Sequence, residues 1–383
     1  MIAYLINELG VRGGTHKQLL KLVEYTEQQG RDFCIITKTA EWDKAYADFI
    51  KYKDRTYILG EEPADSKLRK IAYLFNAVRK LRKLLKNIDI DVVNIHDCGY
   101  EMLFPAFIGK KVIWQVNDLP PCFHVGNAKD TSRTFWSRLR VKYILLFKDV
   151  VTRYTVNVSK NKERIKQFLH RDADVLYCGI EPVRIDRKIE DTFQRFENRE
   201  VHILSSGVFF PYRNYETQVL VMRELVKRGI HAHLNIIGSC SFNLDYAAKI
   251  RKMITDNHLD ANITICGQVD ETEFKELHQD ADVFMFINID QSWGLAVFEA
   301  MSCGLPVIVS KSVGATEILH DKQDAIFVEP TDVKSITETI IQLMQDKTYY
   351  QNISDVAKGF YQDYTWEKAY CAPMLELLLK YDK

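Results

Sequence analysis

The amino-acid sequence predicts an α/β fold: two doubly wound domains in tandem, each built on a parallel sheet with helices on both faces. Three observations carry this. Short, uninterrupted apolar runs alternate with longer segments of helical spacing, the pattern of strands buried on both sides by crossover helices. A polar, charged stretch at residues 182–199, EPVRIDRKIEDTFQRFEN, stops the rhythm, which then restarts. Finally, 383 residues exceed what one core ordinarily organises.

IAYLI (2–6) reads as the first buried strand, and THKQLLKLVEYTEQQG (15–30) as a helix with Leu19, Leu20, Leu22 and Val23 on its apolar stripe. FCIIT (33–37) is a second strand. A helix over 66–87 leads to strands DVVNIH (91–96), VIWQV (112–116), VTRYTVNVS (151–159) and ADVLYCG (173–179). The charged stretch reads as a linker. Beyond it come strand VHILSSG (201–207), helix ETQVLVMRELVKRG (216–229) and strands HAHLNIIG (231–238), NITICG (262–267), ADVFMFI (281–287) and PVIVS (306–310), with helices between. FYQDYTWEKAYCAPMLELLLKY predicts a closing helix interrupted near Pro373.

Composition narrows the functional classes. Lys+Arg and Asp+Glu each total 52, so the neutral chain has no global attraction for nucleic acid, and none is expected as a partner. The eight cysteines are scattered without a CxxC pair, several inside apolar runs, which predicts buried reduced thiols rather than disulfides or a zinc site. No apolar run approaches the roughly 18 residues that span a membrane. MIAYLINELG lacks the charged leader of a signal peptide. The expected compartment is cytoplasmic.

Glycine clusters follow strand ends in both halves. In NELGVRGGTHKQ (7–18), Gly10, Gly13 and Gly14 lie between a strand and a helix. Glycine there lets the backbone turn tightly and approach a ligand, and the helix start offers N–H groups and a positive dipole end to a phosphate. This is not the GxGxxG dinucleotide fingerprint, and the second strand ends in Thr37 and Lys38 rather than an acidic residue, which disfavours a dehydrogenase. A ligand-free βα turn is the competing reading. In the second half, SSGVFFPYRNYE (205–216) supplies Gly207 and Arg213, IIGSCS (236–241) supplies Gly238, and QSWGLAVFEAMSCGLPVIVS (291–310) supplies Gly294 before a helix from about Leu295 to Ser302. Helix-start N–H groups near Ser292 to Ala296 suit phosphate oxygens, and Arg213 adds a planar cation. Glu299, eight residues after Gln291, can accept hydrogen bonds from two vicinal hydroxyls such as a ribose offers.

In this order the motifs resemble the retaining GT-B glycosyltransferases of family 4 over nearly the whole chain. The resemblance is most specific over 201–330, through SSGVFFPYRNYE, NIIGS, ITICGQV, ADVFMFI, QSWGLAVFEAMSCGLPVIVS and VGATEIL. The first half matches more loosely, through LGVRGGTHKQLLKLVEYTEQQG, DVVNIHD, VIWQVNDLP, NVSKN and VLYCGIE. The resemblance implies two Rossmann-like domains facing across a cleft: 1–182 on the acceptor side, 183–360 binding a nucleoside diphosphate-sugar, and 361–383 as a helix returning to the first domain. It implies that Glu299 takes the ribose hydroxyls and that Gln291, at the first position of the E-x7-E motif, takes donor-sugar hydroxyls. Arg213 stands where a Lys contacts the diphosphate. Gly13 and Gly14 match the loop that closes over the donor, and Gly207, Gly238, Ser292, Trp293, Gly294 and Leu295 complete the donor-binding set. His96, Asn117 and Asp118 fall on the acceptor side, with Gln291, Asn117 and Arg213 nearest the chemistry. A glycan or lipid-linked acceptor, retention of anomeric configuration, and independence of metal and cofactor are further implications, the leaving diphosphate being stabilised by cations and helix N-termini.

The chain departs from the family pattern at four places: Gln291 for Glu, Val208 for an Arg, Asn117 for a His and His16 for an acidic residue. Lys160, Lys162, Lys311 and His16 are candidate compensating cations. The leading expectation is sugar transfer to a hydroxyl acceptor in glycan or polysaccharide synthesis. The runner-up is a non-catalytic nucleotide- or glycan-binding partner of another transferase, and a sugar-nucleotide epimerase ranks third.

Two basic stretches remain. SKLRKIAYLFNAVRKLRKLLKN (66–87) has eight basic residues and no acidic one, with Leu68, Ile71, Leu74, Phe75, Val78, Leu81, Leu84 and Leu85 as an apolar face. SRTFWSRLRVKYILLFK (132–148) sets aromatics among cations. Each reads either as a helix packed on its sheet or as peripheral contact with anionic lipid at the inner face of the cell membrane, the packed reading being preferred for 66–87.

Overall fold

The computed structural model describes residues 1–61, 67–96, 98–123, 135–290 and 293–382, and of residues 67, 68, 70 and 71 the backbone only. The chain forms two compact units, Met1–Gly179 with Tyr364–Lys383, and Ile180–Asp363.

The first unit is laid down as β1 (Ile2–Leu9), α1 (Gly14–Gln28), β2 (Phe33–Ala40), β3 (Thr56–Ile58), α2 (Lys67–Asn87), β4 (Val92–His96), β5 (Lys111–Val116), α3 (Phe135–Phe147), β6 (Arg153–Val156), α4 (Ser159–Leu169) and β7 (Ala173–Val175). All seven strands are parallel, in the order β3-β2-β1-β4-β5-β6-β7. Ile2 pairs with Phe33 on one side and Val92 on the other, so the direction in which successive strands are added reverses between β1 and β4. The turns after those two strands therefore diverge and leave a crevice at the carboxyl edge. The expected helix over 66–87 packs on this sheet. Ala77, Leu81 and Leu85 are buried in its core, and Lys80 Nζ donates to the carbonyls of Ile58 (3.1 Å) and Leu59 (2.6 Å). Leu68 and Ile71 lie outside the described side chains.

The second unit begins at Ile180 and contains the whole stretch read as a linker, and that reading is corrected. Its latter half is a helix, α5 (Ile189–Glu197). Ile189, Phe193 and Phe196, spaced four and three apart, form an apolar stripe beneath the charges, and both phenylalanine rings meet Tyr350 edge-on at 5.6 and 5.5 Å. Arg187, just before it, donates to the carbonyls of Ala281 (3.0 Å) and Gly304 (3.1 Å). There follow β8 (Glu200–Ser206), α6 (Tyr215–Lys227), β9 (His231–Ile237), α7 (Leu244–Asp256), β10 (Ile263–Gly267), α8 (Glu271–Asp280), β11 (Val283–Phe286), α9 (Leu295–Ser302), β12 (Val307–Ser310), β13 (Ile326–Val328), α10 (Val333–Gln345) and α11 (Lys347–Gly359). The six parallel strands run β10-β9-β8-β11-β12-β13, with the reversal between β8 and β11.

The chain ends in α12 (Ala372–Leu379), within the first unit. The predicted interruption near Pro373 is a π-helical turn, Glu367–Cys371, running directly into α12. Proline has no N–H for the ladder, and the widened turn absorbs the missing bond. A side chain at Gly179 would put its Cβ 2.1 Å from the Trp366 Cα, so glycine is needed for this closing segment to seat.

Candidate functional site

The richest constellation lies at the β8/β11 reversal. Immediately after β8, the Gly207 N–H donates to the Ile237 carbonyl (2.8 Å), and its own carbonyl accepts from Tyr215 Oη (2.6 Å). A Cβ at Gly207 would lie 2.7 Å from Arg213 Cζ, so the bare backbone is the seat of that guanidinium. Arg213 Cζ stands 5.2 Å from the Tyr212 ring centre and 5.7 Å from that of Phe286. Its Nε is buried and has no hydrogen-bond partner among the described residues. Gly238, after β9, abuts the same turn: its Cβ would lie 2.0 Å from the Gly207 carbonyl oxygen. Arg213 closes a short 3-10 turn, Pro211–Arg213, and Asn214 follows in the left-handed region at φ 58°. Asn214 Nδ2 donates to the carbonyls of Ile287 (3.1 Å) and Pro330 (2.6 Å), and Ile289 N donates to the Tyr212 carbonyl (2.8 Å). These bonds tie the arginine turn to the turn after β11.

That second turn carries the other half of the set. Gly294, at φ 103°, caps α9, and its Cβ would sit 3.1 Å from Phe286 Cε1. Phe286 is therefore packed by both the arginine and the glycine cap. Among the described residues no side chain caps α9, which leaves its first N–H groups to a ligand, Leu295 among them. Trp293 is buried over Phe298 with ring centres 5.1 Å apart, and its carbonyl accepts from Ala315 N (3.0 Å). Glu299 is half-buried one turn into α9. Gln291 and Ser292 lie outside the described residues. Sequence reasoning passed over Asn288, which is 2% exposed and whose Nδ2 has no partner among the described residues. A polar residue directly after a buried strand was the available signal.

In the first unit Gly13 precedes α1 as its cap and Gly14 is its first residue, again with no side-chain cap. His16 folds back so that Nε2 meets the Glu8 carbonyl at 3.0 Å, and burial lowers its pKa, which removes it as a compensating cation. Lys162 and Lys311 are engaged with Asp172 (3.4 Å) and Glu329 (2.9 Å). His96 ends β4 wholly buried. Asn94 donates to the Ile113 carbonyl (3.2 Å), so Asn94 Oδ1 is the acceptor facing His96 Nε2 at 2.7 Å. His96 Nε2 thus carries the proton, leaving Nδ1 a bare acceptor with no partner among the described residues. Burial, with a smaller push from His16, pulls its pKa down to about 3. Asn117 follows β5 and its amide is engaged at both ends, as set out below. Asp118 Oδ1 accepts from Leu119 N (2.9 Å) and faces Arg164 at 3.8 Å. Among the described residues no group of three or more His, Cys, Asp or Glu side chains is placed to hold a metal ion. All eight cysteines are free thiols.

Residues 186–360 match the family of glycosyl transferases group 1. An uncharacterised glycosyltransferase of Methanocaldococcus jannaschii is 26% identical over 224 residues, 55% of this chain and 56% of that protein. The O-antigen chain mannosyltransferase RfbU of Salmonella typhimurium is 28% identical over 153 residues, 40% of this chain and 41% of its own length. The matched stretches thus span about half the length of these two relatives or less. Anabaena HepE, solved in complex with UDP and glucose, superposes with a TM-score of 0.75 over 99% of both chains at 13% identity, a likeness of fold. The architecture is that of the GT-B glycosyltransferases, two parallel-sheet α/β units. With the family match over residues 186–360 and glycosyltransferases among its relatives, the chain is a glycosyltransferase.

Proposed function

We propose that this glycosyltransferase moves a sugar, with retention of anomeric configuration, from a nucleoside diphosphate-sugar to a hydroxyl acceptor in glycan or polysaccharide synthesis. The observation that carries the reading is the Arg213 guanidinium, seated on Gly207 with a buried Nε–H that no described residue takes up. A fixed, partly desolvated donor beside an uncapped helix start suits a leaving diphosphate, whose developing charge it stabilises without reorganisation. In this reading Glu299 accepts from the ribose hydroxyls and Gln291 binds the donor sugar. An amide can orient that sugar but cannot serve as a general base, which suits displacement on the face from which the diphosphate departs. HepE's bound UDP and glucose and RfbU's mannosyl transfer support this donor class. The test is turnover by the purified chain with UDP-, GDP- and ADP-sugars and glycan acceptors, followed by proton NMR of the product anomer. Release of nucleoside diphosphate with a retained anomer is expected. Binding without turnover under any pairing would instead make the chain a nucleotide-binding partner of another transferase.

A second reading concerns the acceptor's surroundings, and α3 favours it. Phe135, Trp136, Leu139 and Leu146 are between 47% and 74% exposed on a helix whose charges are all basic, Arg138 and Lys142 beside an Arg140 that pairs with Glu101. Apolar and aromatic groups interleaved with cations match an anionic lipid interface. No helix among the described residues is long and apolar enough to cross a membrane, so such contact would be peripheral. Salt-sensitive pelleting with phosphatidylglycerol vesicles, lost in Trp136→Ser/Leu139→Ser, is the expected result. Equal pelleting of that variant would refute it.

A further inference from the structure

The first unit buries a directed chain of amides between its sheet and the start of α1. Thr155 Oγ1, on β6, donates to Gln115 Oε1 on β5 (2.7 Å). Gln115 Nε2 donates to Asn117 Oδ1 (3.0 Å). Asn117 Nδ2 donates to both Gln18 Oε1 (2.8 Å) and Thr15 Oγ1 (3.1 Å), in the first turns of α1. Gln18 Nε2 points at Cys178 Sγ, 3.5 Å away. The Asn117 carbonyl is held as well, accepting from Asn161 Nδ2 on α4 (2.7 Å). Gln18, Gln115, Thr155 and Asn161 are all wholly buried.

Three features follow from this geometry. Each amide's orientation is fixed by its neighbour, because flipping any one would set donor against donor or acceptor against acceptor. Both ends of the Asn117 head are engaged, and an amide neither gives nor takes a proton at neutral pH, so Asn117 acts by holding. What it holds is the start of α1, next to Gly10, Gly13 and Gly14, and glycine is the residue type with the most backbone freedom to lose on ordering.

We propose that the Gln115–Asn117–Gln18 chain is a positioning device: it aims the first turn of α1 and thereby sets the conformation of the glycine turn and, through it, donor affinity. The link to donor affinity rests on the function proposed above. Gln18 and Gln115 thus become positioning residues outside the glycine turn.

The test uses the full chain and the variants Gln18→Leu, Gln115→Leu and Thr15→Val. Backbone amide exchange over residues 13–18 is read without any donor, and KM, kcat and the pH profile are read with the donor that turns over. Expected are faster exchange confined to that turn and a donor KM raised about tenfold in Gln18→Leu, with kcat within about twofold. The pH profile should be unchanged. Gln115→Leu should shift both readouts in the same direction by less, and the double variant should be no worse than Gln18→Leu alone, because all act through Asn117. Thr15→Val removes the Asn117 bond at a half-buried site and decides the matter should Gln18→Leu fail to fold. Unchanged exchange at 13–18, or a fall in kcat at constant KM, overturns the proposal. Faster exchange together with no turnover of any nucleotide-sugar by the wild type leaves the positioning intact and overturns the function reading alone.

Discussion

The two units share one topology and use its reversal point in opposite ways. At the β8/β11 edge the prominent group is a permanently charged donor, Arg213, whose Nε–H no described residue takes up. At the β1/β4 edge the strand ends on His96, uncharged, with its one N–H directed at Asn94 and a bare Nδ1 left over. Nearby, Asn117 uses its amide wholly within the unit. The same crevice geometry thus carries a charged donor without a described partner at its Nε in the second unit and rigid, neutral hydrogen bonding in the first. Topology supplies the place, and the side chains decide the chemistry.

The largest test of that contrast is Arg213→Ala. Removing a preorganised donor from a developing anion should lower kcat/KM by about 100- to 1,000-fold, with only partial recovery in Arg213→Lys, which lacks the Nε–H and the planar fork. Wild-type kcat/KM in the alanine variant would break the comparison. Glu299→Ala should weaken nucleoside diphosphate binding by roughly ten- to a hundredfold in a calorimetric titration, the worth of hydrogen bonds to a charged group. Next come two glycines that look alike in the sequence. A Cβ at Gly238 meets the Gly207 backbone oxygen, which cannot yield cheaply, so Gly238→Ala should destabilise the fold by about 1–3 kcal/mol in urea unfolding. A Cβ at Gly207 meets the end of Arg213, which can swing aside, so Gly207→Ala should destabilise less than Gly238→Ala and lose donor affinity.

The smallest effect is a pair of opposite pH slopes. In the second unit His202 lies 2.8 Å from both Asp280 and Glu200, and the bond to Asp280 raises its pKa. The proton is held more tightly folded than unfolded, so the advantage of wild type over His202→Gln should be full below about pH 6.5 and fade as pH rises through the raised pKa. His96 in the first unit has the reverse shift. Its unfolded form takes up a proton that the folded form refuses, so wild type should lose ground to His96→Gln as pH falls from 6.5 towards about 3. Chemical unfolding across pH 5–8 reads both.

Most of the fold was legible because strands buried on both faces leave unbroken apolar runs, and the glycines closing them mark ligand-side turns. What escaped has physical reasons. In α5 the stripe of Ile189, Phe193 and Phe196 was masked by the charges between. The edge strands β3 and β13 are three residues each, too short for a period to show. Gly207, Arg213, Gly238 and Gly294 were readable as neighbours of strand ends. The orphaned Nε–H, the burial of Asn288 and the bond from Asn117 to Gln18, 99 residues apart, depend on tertiary neighbours that no local pattern records.

The central claim, that the β8/β11 edge is a diphosphate site built on Arg213, is tested most directly by isothermal titration of UDP, GDP and ADP into the wild-type chain and Arg213→Ala. The account predicts that one of these nucleotides binds with one site per chain and that the alanine variant loses at least about tenfold in affinity, one hydrogen bond to a charged group. Equal affinity in the two proteins, or no binding of any nucleoside diphosphate to the wild type, would contradict it.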